Sequence, residues 1–599
     1  MKAVHAILTA AVASVACIAG ASPLAAVQNG DQKIRREYVF DQGALKSRPA
    51  DASSSGSFTC CSEFPGRAAG ISSMRPSGDQ HLAFCDEAGH PLWYYHTVTD
   101  SWCEASKVDG ARRFSPAAWA VVGGYFAFMV LMAWVFMRRR KDPNAFFKGG
   151  QRIPWYVAGV SIYATMLSSI TFLSVPSLAY ISDWRLFPNM IVGMLVVAPV
   201  AIAFYMPVFR RSGLTSAYEY LERRFNLGTR LFASAAFVVF MILRVAVVTL
   251  LPALALDAVT GMGVDVAIAV CGTITVVYCA FGGLEAVIWS DFVQGFVLVS
   301  GAIAILCYLV AGTDGGLAGM MQMASSANKD VLLDFRPEFG ELVFWVACVQ
   351  GITQFAFSFT SDQCIVQRYI AVKDEKAAVR SIWLNYALSV VMGAVFFAIG
   401  TALWTHYKCH PEMLTPMVPK PDSILPIFMG TELPPVVAGL VTAAVFAATI
   451  STLSANLSAA SSALTSDFVV RFRPSISDRA KVRFGQAFVA LTGILGTMAA
   501  FGLAHLDLRS LCDVFQEIIS TLTAGITGVF FLGIFMKRVG GAAALVALIV
   551  NYAVCFAFKF GGVSAALGLH PFLTGGIGLA ACILTGALLG LALPRREDA

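Results

Sequence analysis

Three serines set the chemistry to be explained. Ser451, Ser454 and Ser458 lie three and four residues apart in an apolar run over residues 434–468, with Thr452 beside them. That spacing puts the hydroxyls on one face of a helix. Hard cations take oxygen ligands, and hydroxyls together with freed backbone carbonyls supply them without placing a net charge in lipid. Small hydroxyl residues also let helices pack closely, so the stripe alone leaves both readings open. Asp291, after Ala286-Val287-Ile288-Trp289-Ser290, falls just inside another apolar run. An ionised carboxylate at membrane depth costs about 2.5–3.5 kcal/mol. It therefore either meets a partner, for which a sodium ion is the natural choice, or sits at the interface and caps a helix. Arg244, in Met241-Ile242-Leu243-Arg244-Val245, is deeper within its run. A permanent guanidinium charge there implies either a fixed acidic partner or an anionic ligand held by the two-pronged fork. Glu219, Glu285 and His505 fall near the ends of runs and read as solvated. No nucleophile-and-base constellation accompanies them, which argues against an enzyme.

These residues need elements that hold them at membrane depth. The chain is 57% hydrophobic and 13% charged, with a mean hydropathy of +0.70, against about 25% charged residues in soluble globular chains. That balance excludes a soluble fold and makes the bilayer the solvent. From Pro116 onward there are about thirteen apolar runs, each of about 20 residues, the length that crosses the hydrocarbon as a helix. The expected fold class is an all-α polytopic membrane protein. Net charge is +6, with the basic residues between the runs, which reads as topology rather than nucleic-acid binding. Arg138 to Lys141, Arg210 with Arg211, Arg223 with Arg224, Arg368 with Lys373, Arg471 with Arg473, Lys537 with Arg538 and Arg595 with Arg596 alternate with connections whose basic residues are few, chiefly Arg185, Lys329, Arg336, Lys408, Lys420 and Arg509. Cytoplasmic loops accumulate Lys and Arg, so the C-terminus is expected in the cytoplasm and, with an odd number of spans, the N-terminal segment outside.

Residues 1–26 carry Lys2, a short apolar centre and small residues around Ala21 and Ala25, the pattern of an export signal. Residues 27–115 are polar and contain Cys60, Cys61, Cys85 and Cys103. Beyond an export signal these thiols meet an oxidising compartment, where disulfides staple regions too small for a large core. A partly disordered linker with free thiols is the alternative, and the pairing is open. Residues 116–595 form the membrane domain. Two of its runs look interrupted. The run over 155–181 gathers Ser168, Ser169, Thr171, Ser174 and Pro176, and the run over 341–366 gathers Gly351, Thr353, Gln354, Ser358, Thr360, Ser361 and Asp362. Interrupted helices at corresponding places in two halves of a membrane protein expose carbonyls and helix ends to ions and polar solutes.

With these residues in view, the chain from about Phe146 to Arg538 resembles the sodium/solute symporters. The motifs are Phe147-Lys148-Gly149-Gly150 with Ile153-Pro154-Trp155, then Ala164-Thr165-Met166-Leu167-Ser168-Ser169-Ile170-Thr171-Phe172 and Thr215-Ser216-Ala217-Tyr218-Glu219-Tyr220. Gly282-Gly283-Leu284 before Trp289-Ser290-Asp291, Ser361-Asp362-Gln363 leading to Gln367-Arg368-Tyr369, and the helix around Ser451 complete the set. The resemblance implies a leucine-transporter-type five-plus-five inverted repeat with extra helices, in a bacterial-type inner membrane, with Na+ as the coupling ion. It implies a first sodium site made by Ala164 and Leu167 with Ala448, Ser451 and Thr452. A second would draw on Asp291, Ser451 and Ser454, with Ala455 standing where a further hydroxyl is expected. Within the family, Arg244 followed by Val247-Val248-Thr249-Leu250-Leu251-Pro252 is similar to the bacterial sialic acid symporters, in which that arginine holds the substrate carboxylate. Ser168 and Thr171 match their substrate-facing hydroxyls, Met166 stands where a hydroxyl is expected, and Phe187, Asn189 and Gln354 fall where the site would be lined. The implied function is sodium-coupled import of a small carboxylate-bearing sugar by alternating access. A symporter for another monocarboxylate or a neutral sugar, and a membrane sensor that binds without transporting, are the rivals. Leu92-Trp93-Tyr94-Tyr95-His96 with Asp100-Ser101-Trp102 also resembles a kelch repeat, although about 90 residues are too few for a propeller.

Overall fold

The computed structural model describes the strand segments between residues 36 and 104, the turn at residues 98–99, and residues 114–137, 143–260, 262–413, 421–506 and 511–592. The expected export signal at 1–26 lies outside them. The segment expected to be polar and cysteine-bearing contains seven short strands in two antiparallel sheets. One is β1 (Arg36–Asp41), β2 (Ala44–Pro49) and β3 (Thr59–Cys60). The other is a meander of β4 (Ser73–Ser77), β5 (His81–Cys85), β6 (Pro91–His96) and β7 (Ser101–Glu104), each strand paired with the next.

The membrane body is all helix. It opens with α1 (Pro116–Met137), then α2 (Trp155–Met166) and α3 (Ser169–Ile181), which meet at a 59° bend. Helices α4 (Phe187–Val200), α5 (Leu227–Thr260) and α6 (Val264–Ala311) complete the first half of the repeat. The second half is α7 (Phe344–Thr360) with α8 (Gln363–Ala371), α9 (Glu375–Cys409), α10 (Pro435–Ala463), α11 (Asp478–Ala504) and α12 (Leu511–Phe535). Helices α13 (Gly541–Phe560) and α14 (Thr574–Ala592) follow. Among the described residues, nine helices are long and apolar enough to cross a membrane, and ten if α2 with α3 counts as one broken span. The excess of expected runs over this number has identifiable causes. Pro116–Met132 and Val264–Val277 are apolar but fall short of 18 residues, the second preceding the span Gly283–Ala311 at the turn of Gly283 (φ 68°, ψ 174°), and the run over 341–366 divides between α7 and α8.

Both expected breaks are present. Leu167 (φ −89°, ψ 97°) and Ser168 (φ −92°, ψ 174°) are extended between α2 and α3. Pro176 sits inside α3 rather than at the break. Asp362 is extended between α7 and α8, and its side chain accepts a hydrogen bond from the Cys364 N–H at 2.8 Å, capping α8. Helix α6 lies along α10, α2 and α3 pack on α9, and α4 packs on α7. The last contact is backbone to backbone: a Cβ on Gly351 would sit 2.2 Å from the Asn189 carbonyl oxygen. Gly351→Ala is therefore expected to lower the thermal stability of the detergent-solubilised protein by about 1–3 kcal/mol, the usual cost of overpacking. Gly123→Ala, on an exposed face of α1 with nothing within 4 Å of the new methyl, is the control. Equal stability of the two variants would refute the close approach.

The meander is anchored to the helices. The Trp404 indole N–H of α9 donates to the Val98 carbonyl at 3.0 Å, and the Tyr180 hydroxyl of α3 lies 3.2 Å from His96 Nε2. Lys329 Nζ donates to the carbonyls of Tyr180 at 2.8 Å and Ile181 at 2.9 Å, beside the same turn.

Candidate functional site

An uninterrupted helix would pair the Ala164 carbonyl with the amide of residue 168 and that of Thr165 with residue 169. The break releases both toward α10. Ser451 Oγ donates to the Ala164 carbonyl at 2.9 Å and stands 3.2 Å from the Ala448 carbonyl, while Thr452 Oγ1 donates to the Thr165 carbonyl at 3.2 Å. All of these residues are buried. The hydroxyl stripe thus faces the break rather than serving only as a packing surface. A cation drawn between the two helices replaces these hydrogen bonds by ion–oxygen contacts, because each hydroxyl has lone pairs to offer once its proton turns away. Four residues of the implied first sodium set, Ala164, Ala448, Ser451 and Thr452, are brought together, and Leu167 is an extended residue of the break itself. The Thr165 carbonyl was not anticipated as part of this set; its place within the run Ala164-Thr165-Met166 gives no signal for it.

Asp291 is wholly buried in the interior of α6, so the helix-capping reading fails. Its partner is a residue that the charge pattern assigns to a cytoplasmic loop. Arg368, on α8, is fully buried, and its Nη2 lies 2.8 Å from Asp291 Oδ2. Arg368 Nε donates to Ser161 Oγ at 2.9 Å, and Nη1 donates to the Cys364 carbonyl. Ser161 in turn donates to Asp291 Oδ2 at 2.7 Å, with Thr165 Oγ1 at 3.4 Å. Ser454 Oγ reaches Asp291 Oδ1 at 3.5 Å and donates to the Ser451 carbonyl at 3.0 Å. The carboxylate is therefore neutralised by a guanidinium, and its second oxygen faces the hydroxyl stripe.

Arg244 has both of its expected surroundings in part. Its Nη1 stands 3.4 Å from Asp362 Oδ2, a long single contact, with the two side chains 9% and 3% exposed. Its Nε, equally buried, has no hydrogen-bond partner among the described residues. The rings of Phe240 and Phe515 flank it, each 6.0 Å from the guanidinium carbon. Buried donors are nearly always paired, so an incompletely engaged fork between two aromatic faces is shaped to accept a planar anion.

The other expected lining residues divide. Ser168 forms the N-cap position of α3, with Thr171 one turn further in. The Asn189 amide donates to Gln350 Oε1, and Gln350 Nε2 donates to Gln354 Oε1 at 3.1 Å. Gln350 and Gln354 line a narrow crevice with Thr353, Gln516, Ser520 and Phe572. Phe187 is packed elsewhere, edge-on to Phe397 at 5.5 Å and to Trp184 at 5.8 Å. A further buried carboxylate, Asp467, was missed because it lies close to a basic connection. It accepts from Arg230 at 2.7 Å, Ser216 at 2.9 Å and Ser234 at 2.6 Å.

The sodium:solute symporter family model matches residues 146–551. A sodium/sialic acid symporter of Proteus mirabilis is 36% identical over 480 residues, 78% of this chain and 94% of that protein. Another, of Aliivibrio fischeri, is 33% identical over 484 residues, 80% of this chain and 94% of that protein. The solved structure of a Na+-coupled sialic acid symporter in a substrate-bound outward-open state superposes with a TM-score of 0.75 at 34% identity, covering 81% of this chain and 100% of that one. Broken helices facing a hydroxyl stripe, and a match that spans both halves of the repeat, lead to one assignment: this chain belongs to the sodium:solute symporter family.

Proposed function

We propose that this symporter imports a sialic acid or a similarly carboxylated sugar with sodium. The observation that carries the substrate is the buried, under-engaged Arg244 fork between Phe240 and Phe515. The similarity to two sodium/sialic acid symporters supports the same reading. In this reading sodium settles among Ala164, Leu167, Ala448, Ser451 and Thr452 and fixes the broken helix. The sugar carboxylate docks on Arg244, with Ser168, Thr171, Asn189 and Gln354 toward its hydroxyl and amide groups. Asp291 and Ser454 are the candidates for a second ion. Rocking of the broken-helix bundle then exposes both cargoes to the other side. The solute crosses without chemical change. The orientation follows the basic loops: residues 1–26 direct export, residues 27–115 lie in the periplasm, residues 116–595 span the inner membrane, and the C-terminus is cytoplasmic.

Each sodium entering contributes about 2.3 kcal/mol per 100 mV, which sustains roughly a fiftyfold gradient of a neutral solute. A monoanion moving with one sodium cancels that electrical term, so its accumulation follows the sodium gradient. The test is uptake of labelled N-acetylneuraminate by proteoliposomes under an inward sodium gradient, with lactate and glucose as competitors. Wild type is expected to need sodium and to be inhibited by unlabelled sialate alone. Loss of two ion-facing hydroxyls in S451A/T452A is expected to raise the half-saturating sodium concentration at least about tenfold, since a hydrogen bond to a charged group contributes about 1.5–3 kcal/mol. Competition by lactate or glucose would move the substrate to those solutes. Binding without sodium-dependent counterflow would mark a sensor.

A further inference from the structure

Asp362 is the feature that the transport reading leaves unused. It faces Arg244 across 3.4 Å, yet its other oxygen is held by the Cys364 N–H at 2.8 Å, so it cannot swing fully onto the guanidinium. The second buried guanidinium nearby, Arg368, is committed to Asp291, Ser161 and the Cys364 carbonyl. Two buried cations and two buried carboxylates therefore balance one another. Arg244 keeps a counter-charge that is strong enough to be tolerated in the interior and too distant to close the fork.

We infer that Asp362 is an internal stand-in for the substrate's carboxylate, occupying the field of Arg244 when the site is empty and being driven off when an anionic solute takes the fork. The inference rests on the carboxylate reading of Arg244 and adds to it the residue that sets anion affinity and release. Two carboxylates on one guanidinium repel, and like charges brought together in an interface cost several kcal/mol. Asp362 moves with the junction of α7 and α8, where Ser361 (φ −142°, ψ −13°) and the extended Asp362 (φ −75°, ψ 110°) are the non-helical residues that part that broken helix. Arrival of the anion thus pushes on the second broken helix, while sodium organises the first. When the solute moves toward the opposite side, return of Asp362 to Arg244 competes with rebinding.

Asp362→Asn isolates the charge, because asparagine is as good an N-cap as aspartate and keeps the bond to Cys364. The measurement is sodium-dependent N-acetylneuraminate binding by calorimetry and initial uptake rate in proteoliposomes, for wild type, D362N and D362E. D362N is expected to bind sialate about tenfold or more tighter, as one removed like-charge contact allows, with a lower maximal uptake rate. D362E is expected to return toward wild type in both. A residue needed only for folding would weaken binding, so unchanged or weaker sialate binding by D362N at wild-type thermal stability overturns the inference. Wild type that binds no sialate in sodium, with D362N equally inert, instead overturns the substrate reading, and the inference falls with it.

Discussion

Sialate uptake by Arg244→Ala is expected to fall by about 30- to 4,000-fold, the range that corresponds to about 2–5 kcal/mol for truncating one partner of a buried charge pair. The fork is flanked by Phe240 and Phe515 and, among the described residues, its buried Nε has no partner, while the nearby Arg368 is committed to Asp291 and Ser161. Arg244→Lys keeps a charge but loses the planar pair of donors, and an intermediate loss is expected of it. Removing the arginine also leaves Asp362 uncompensated, which destabilises the fold by itself. R244A/D362N answers that concern: it discharges both partners, and is expected to recover stability while sialate binding stays lost. Sodium binding, read from the sodium-induced rise in thermal stability, is expected to persist in the double variant. Sialate binding by R244A/D362N at wild-type strength would remove the carboxylate clamp from the mechanism.

Asp291→Asn is expected to lower stability by about 3–5 kcal/mol even in sodium-free buffer, because it strands a fully buried guanidinium. Arg368 and Asp291 are both wholly inaccessible, and Ser161 completes the pair by accepting from one and donating to the other. Unfolding of D291N, R368Q and D291N/R368Q in detergent without sodium gives the coupling directly. The double variant is expected to be more stable than the sum of the single losses predicts. Additive losses would mean that the two residues do not act as a pair. A loss in D291N that appears only when sodium is present would instead assign the carboxylate to the ion.

The contact between the first broken helix and the hydroxyl stripe was legible because its signal is local. Ser451, Ser454 and Ser458 are hydroxyls at helical spacing in an otherwise apolar run, with Thr452 beside them, and the Ser168-Ser169 and Ser361-Asp362 clusters announce broken helices where lipid-facing segments have no use for them. Arg244 was legible as a charge needing an anion, but its tie to Asp362, 118 positions away, is created by the fold. Arg368 misled because Lys373 follows it closely, so the basic pattern draws it into a loop. Helix α8 instead carries it inward, where it bonds Asp291, Ser161 and the Cys364 carbonyl. The same closeness to a basic connection hid Asp467. The strands of the N-terminal segment were obscured by its Ser, Gly and Asp content, although Pro91–His96 has the aromatic residues of a β-strand.

The docking of the meander has a consequence for how the protein is made. Val98 is bonded by Trp404, which lies 306 residues later in the chain. At a synthesis rate of about 5–20 residues per second, roughly 15–60 s separate the emergence of the two partners. For that interval the first-made strands are without the helix that later anchors them, and uncovered strand edges recruit other chains. Slowing translation between these positions prolongs that exposure, and the yield of membrane-inserted protein becomes a function of ribosome pace as well as of final stability.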